Sequence, residues 1–155
     1  MTRLPKDLRK PLWLRIKRSQ FMKPAAEIII LEDDRTSSAL VAVFLRNAGY
    51  EVFEASEGRS AIELAKKKRP ALLIADVMLP GMNGAEVVRE LIEIPDLSEL
   101  KVLFLSSLLS GSGTGGVETT LKAAGRDFPA LAKPLDKEAL LKSVGRILQG
   151  EREAV

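Results

Sequence analysis

Five short apolar runs, each followed by an amphipathic stretch, constrain this chain more than any other feature. The runs are Glu27–Leu31, Tyr50–Ala55, Ala71–Ala75, Lys101–Leu105 and Phe128–Ala132. The stretches Arg35–Ala48, Ser60–Lys68, Gly84–Glu93, Val117–Ala124 and Lys137–Leu148 carry apolar residues at helical spacing. Strict alternation of strand and helix predicts an α/β fold, a five-stranded parallel sheet with helices on both faces. Right-handed crossovers and a single reversal give the strand order 2-1-3-4-5. Gly49, Pro70 and Gly125 read as helix stops, and Lys66-Lys67-Lys68-Arg69 suits a helix C-terminus. Leu40, Val43, Phe44 and Ala48 read as the inward face of the first helix, and Val117, Leu121 and Ala124 as that of the fourth.

The third run is wholly apolar, as a strand buried on both faces must be, and it ends in Asp76 before a turn rich in Pro and Gly. On its own, Asp76 could simply open that turn or cap the next segment. The predicted strand order changes its meaning. Strands one and three become neighbours, so Glu32, Asp33 and Asp34 come to the same sheet end as Asp76, where open α/β sheets bind their ligands. Carboxylates crowded together repel unless a cation sits between them. The chain contains no histidine and no cysteine, which excludes thiolate or imidazole metal sites and Ser-His-Asp triads. Oxygen donors alone select a hard ion, Mg²⁺ or Mn²⁺. Beside such an ion a strand-end Asp can take up a phosphoryl group as a nucleophile. That chemistry also needs a hydroxyl and a fixed cation for the phosphoryl oxygens. Ser106 follows the fourth run and Lys133 the fifth. Each has an ordinary explanation alone, as a turn residue or a surface charge, but four such groups at adjacent strand ends form one constellation.

These residues resemble the receiver domain of two-component response regulators, from Glu27 to about Leu148, roughly four-fifths of the sequence. The resemblance implies a flavodoxin-like receiver fold with Asp76 as phosphoacceptor. It implies a metal site of Asp33, Asp76 and the Met78 backbone carbonyl, with Glu32 and Asp34 as acidic support. Ser106 becomes the switch hydroxyl and Lys133 the phosphate contact. Pro80 and Gly84 match the loop after the acceptor, and Lys133-Pro134 matches a pair joined by a cis bond in that family. The implied activity is Mg²⁺-dependent acceptance of phosphate from a sensor histidine kinase or a phosphotransfer protein, with a changed surface around strands four and five for an output partner. Apart from self-phosphorylation and its reversal, no enzyme activity is expected. Two rival readings are a receiver-like interaction module that works without phosphate and an aspartyl-nucleophile phosphohydrolase. Met78 stands where the second rival would need an acid/base Asp.

The chain departs from the family pattern in three places. Leu108–Gly116 is longer than usual. Ala130 occupies the position of the family's aromatic switch residue, with Phe128 at the same strand parity. Residues 149–155 hold no output domain. Gly111–Gly116 satisfies G-x-G-x-x-G, but Ser106–Ser110 separate it from its strand, so a flexible loop is expected rather than a nucleotide cradle.

The charge is split along the chain. Residues 1–24 carry eight Lys/Arg against Asp7, or +7, and the remainder carries 16 basic and 20 acidic side chains, or −4. The expected organisation is a flexible basic extension at 1–24, a receiver domain at 25–150 and a tail at 151–155. Nucleic acid is not an expected partner except through that arm. No run is long and apolar enough for a membrane span, and a cytoplasmic location is expected.

Overall fold

The computed structural model describes residues 25–112 and 118–153 together with Arg3 and Arg9, with 110–112, 118 and 151–153 described in backbone only. The expected extension 1–24 otherwise lies outside these residues, as do Gly113–Val117 and the last two residues. The strands are β1 (Glu27–Leu31), β2 (Glu51–Ala55), β3 (Leu72–Asp76), β4 (Lys101–Ser106), β5 (Glu118–Ala123) and β6 (Arg126–Ala132). The helices are α1 (Arg35–Asn47), α2 (Gly58–Lys68), α3 (Gly84–Ile92) and α4 (Lys137–Glu153), so the last helix runs into the segment expected as a tail.

The sheet order is β2-β1-β3-β4-β6-β5. The first five of these are mutually parallel and reproduce the expected 2-1-3-4-5, with β6 as its fifth strand. All five residues of β3 are buried, as its continuous apolar run requires. On one face Ile29, Leu73 and Phe104 pack with Ile62 of α2 and Val87 and Leu91 of α3. On the other, Ile28, Ile30 and Ile74 pack with Val41 and Leu45 of α1 and Leu140 and Val144 of α4. Each such side chain, fully withdrawn from water, contributes roughly 1.5–3 kcal/mol, which is why this core sets the fold.

Two expectations are corrected. The first helix does not bury Leu40 and Val43, which are 50% and 49% exposed. Its buried face is Ser38, Val41, Ala42 and Leu45. Both sets have helical spacing; the observed one puts the small Ser38 and Ala42 against the sheet, which allows close approach. The second correction concerns the helix expected at Val117–Ala124: Val117 lies outside the described residues, and residues 118–123 form a strand, β5, antiparallel to β6. Thr119 and Thr120 favour a strand. Gly125 does not stop a helix, because Ala124 (φ 52°) and Gly125 (φ 77°) together make the two-residue hairpin turn that positive φ values permit.

Pro129 shapes the same region. Lys133 N–H donates to the Ser106 carbonyl (3.0 Å), so odd-numbered residues of β6 direct their backbone groups at β4. Pro129 is one of them and has no N–H to give. The β4–β6 ladder accordingly holds only Phe104–Ala130, Leu105–Leu131 and Ser106–Ala132. Below it the strands part around a groove of about 460 Å³ lined by Val102, Phe128 and Pro129.

Candidate functional site

The acidic residues meet at the carboxyl ends of β1 and β3. Glu32 and Asp76 are buried and Asp33 is exposed, and one carboxylate oxygen from each lies within 4.8 Å of the others. Lys133, one residue past β6, bridges the two buried acids. Its Nζ donates to Asp76 Oδ2 at 2.8 Å and to Glu32 Oε2 at 3.0 Å. The second Asp76 oxygen accepts from the Met78 backbone N–H at 3.0 Å. The second Glu32 oxygen accepts from the Asp34 N–H at 3.3 Å.

The electrostatics follow from that packing. Burial raises Glu32 from an ordinary 4.5 to about 7, with Asp76 beside it adding to the rise and Lys133 opposing it. For Lys133, burial alone would lower the pKa, but the bonds to Asp76 and Glu32 outweigh it and hold the ammonium protonated. The site therefore presents a fixed positive charge against crowded oxygen donors, a set suited to a hard divalent cation.

Asp34 stands apart from this group. It is the N-cap of α1, accepting from Thr36 N–H (3.2 Å) and Ser37 Oγ (2.8 Å), and those bonds lower its pKa. Its expected role as acidic support is replaced by fixing the helix that follows Asp33. Ser106 is buried at the end of β4, one residue past Leu105, the register partner of Asp76. Its Oγ accepts from Leu108 N–H at 3.1 Å. Ser107–Ser112 then forms a 3-10 segment, and the rest of the expected glycine loop lies outside the described residues.

The Lys133–Pro134 peptide bond is cis, as the resemblance implies. Gly84 opens α3 directly over β3. A methyl group there would collide with the Asp76 carbonyl oxygen, and Gly84 N–H donates to the Val77 carbonyl at 3.1 Å. Pro80 lies in the loop between them, which turns through Gly81 at φ 80°. Ala130 is fully buried, paired with Thr119 of β5, and Phe128 packs edge-on to Phe104, ring centres 6.0 Å apart. No aromatic ring therefore occupies position 130, and the Phe128 ring belongs to the core.

Sequence reasoning missed the apolar ground beside the site. Leu40, Val41, Leu105, Pro134 and Leu135 line a cavity of about 220 Å³ that also takes in Glu32 and Lys133. Its signal was the surplus of apolar residues on α1, read there as a single inward stripe.

Among known families, residues 28–145 match the response regulator receiver domain. The chain is 30% identical over 125 residues to protein PilH of Pseudomonas aeruginosa, covering 81% of this chain and 99% of that one. It is 31% identical over 120 residues to response regulator PleD of Caulobacter vibrioides, covering 77% of this chain but 25% of PleD. Among solved structures, chemotaxis protein CheY4 of Vibrio cholerae aligns with a TM-score of 0.67 at 30% identity, over 79% of this chain and 98% of its own. A putative response regulator from Chloroflexus aurantiacus aligns at 0.65 with 29% identity, over 80% of this chain and 98% of its own.

Proposed function

The chain belongs to the response regulator receiver family, and from that premise we propose that it is a phosphoacceptor module of a two-component phosphorelay. Asp76 takes a phosphoryl group from a phosphohistidine on a sensor kinase or phosphotransfer protein in the cytoplasm. The observation that carries this reading is Lys133 Nζ at 2.8 Å from Asp76, with Glu32 and Asp33 converging on the same carboxylate.

In the transfer, an Asp76 oxygen attacks phosphorus while the P–N bond to the donor imidazole breaks. The imidazole nitrogen keeps that electron pair and takes a proton from water. Lys133 offsets charge on the phosphoryl oxygens, and the Ser106 hydroxyl offers a donor beside them. Asp33, Asp76 and the Met78 carbonyl, supported by Glu32, would hold Mg²⁺ or Mn²⁺, which when bound neutralises the charge gathering between carboxylates and phosphate. The donor docks on the apolar ground at Leu40, Pro134 and Leu135, immediately beside the acceptor. The output partner reads the changed surface around β4 and β6. Met78, with no proton to give, leaves the chain an acceptor rather than a turnover enzyme.

Acetyl phosphate with Mg²⁺ tests the reading directly. Wild-type protein should gain one phosphoryl group and Asp76→Asn none. Equal labelling of the two would sink the assignment. A wild type that no acetyl phosphate or kinase labels would point to a phosphate-free interaction module, and steady turnover of a phosphomonoester to a phosphohydrolase.

A further inference from the structure

β5 ends the sheet, and among the described residues no strand pairs its outer edge. Bonds already named decide which of its backbone groups face outward. Odd-numbered residues of β6 address β4, so Arg126, Phe128 and Ala130 address β5. Their register partners are Ala123, Leu121 and Thr119. Glu118, Thr120 and Lys122 therefore turn their N–H and C=O groups away from the hairpin. Thr119, Thr120 and Lys122 are exposed, and the strand contains no proline.

We infer that this edge pairs with the β5 edge of a second copy, making one continuous sheet across a twofold axis. Two identical edges related by a twofold can meet only antiparallel. In an antiparallel ladder, residues whose backbone groups face the partner must lie opposite residues of the same kind. That condition restricts the axis to registers centred on a residue. The register centred on Thr120 engages every outward-facing residue of both strands. Thr120 meets Thr120 of the second copy, and Glu118 meets Lys122 on either side. Each of the three pairs exchanges both of its N–H···O bonds. Lys122 is the kind of charge that ordinarily keeps an edge solitary, yet this register sets it opposite a carboxylate twice. Backbone parity and charge thus select the same alignment independently. The inference does not rest on phosphorylation of Asp76.

Sedimentation equilibrium of the full chain from micromolar to millimolar concentration tests the pairing. Wild-type protein should dimerise. Lys122→Glu should weaken the dimer about tenfold or more, since two attractive pairs become repulsive. Adding Glu118→Lys to Lys122→Glu restores opposite charges in the same register, and should restore the wild-type dimer. Thr120→Pro removes an outward N–H without removing a donor from the hairpin, and should leave a monomer. A wild type that stays monomeric throughout overturns the proposal. So does a dimer indifferent to both Lys122→Glu and Thr120→Pro, or a double swap no better than Lys122→Glu alone.

Discussion

Glu32 shows what it costs to bury carboxylates side by side. Its pKa is raised from 4.5 to about 7 by burial, so the folded state binds its proton more tightly than the unfolded chain does. Its contribution to stability is therefore fully present below about 4.5 and is lost as pH rises through about 7, a loss on the order of 3 kcal/mol. In metal-free buffer the urea midpoint of the wild type should fall from pH 5 to 7.5 relative to Glu32→Gln, with the two converging at the acid end. Parallel curves would show that Glu32 is not held this way. Gly84 is constrained by shape instead of charge. Gly84→Ala drives a methyl group into the Asp76 carbonyl, and should lower unfolding free energy by about 1–3 kcal/mol while reducing labelling of Asp76. Wild-type stability in that variant would mean the loop yields freely. The convergence of Glu32, Asp33, Asp76 and Lys133 was legible in the sequence because strand ends and strand order place them. The capping role of Asp34 was not, because a helix N-terminus and a metal site ask for the same side chain.

At the scale of elements, the segment after β4 should carry the response to phosphorylation. Ala130 offers no ring to rotate, and Phe128 is locked against Phe104. Ser106 Oγ instead accepts from Leu108 N–H, so a new bond from that hydroxyl acts on the backbone of the 3-10 segment at once. Amide exchange with and without beryllofluoride, a phosphoryl mimic, should show added protection across residues 106–112. Unchanged exchange there with the mimic bound would refute it. The five parallel strands were legible because burial on both faces leaves continuous apolar runs such as Leu72–Ala75. α1 was half legible: its residues have two apolar stripes, and only the packed sheet chooses between them. β5 was misread because Leu121 and Ala124 also fit a short helix. The deciding signals were the Thr119-Thr120 pair and a following two-residue turn, which periodicity over so few residues does not register.

For the molecule as a whole, ligand binding and folding stability are one equilibrium. A cation that binds only the folded site should stabilise the protein by about 3 kcal/mol at a hundredfold excess over its dissociation constant. Mg²⁺ should therefore raise the thermal midpoint, a chelator should reverse it, and Asp33→Ala should fold yet show no Mg²⁺ response. An equal response in Asp33→Ala would remove that residue from the site. The parting of β4 and β6 below Phe104 also has a mechanical meaning. The β5–β6 hairpin is paired with the parallel sheet through three residue pairs, all at the end that carries Asp76 and Ser106. At its far end Ala123 packs in the same cluster as Leu91 of α3, and Arg126 Nη1 donates to the Ser98 carbonyl at 2.6 Å. Side-chain contacts thus hold the end of the hairpin that the β4–β6 ladder leaves unpaired. A load applied at the Ala124–Gly125 turn would therefore be resisted by packing and by the Arg126–Ser98 bond, and at Ser106 by backbone pairing.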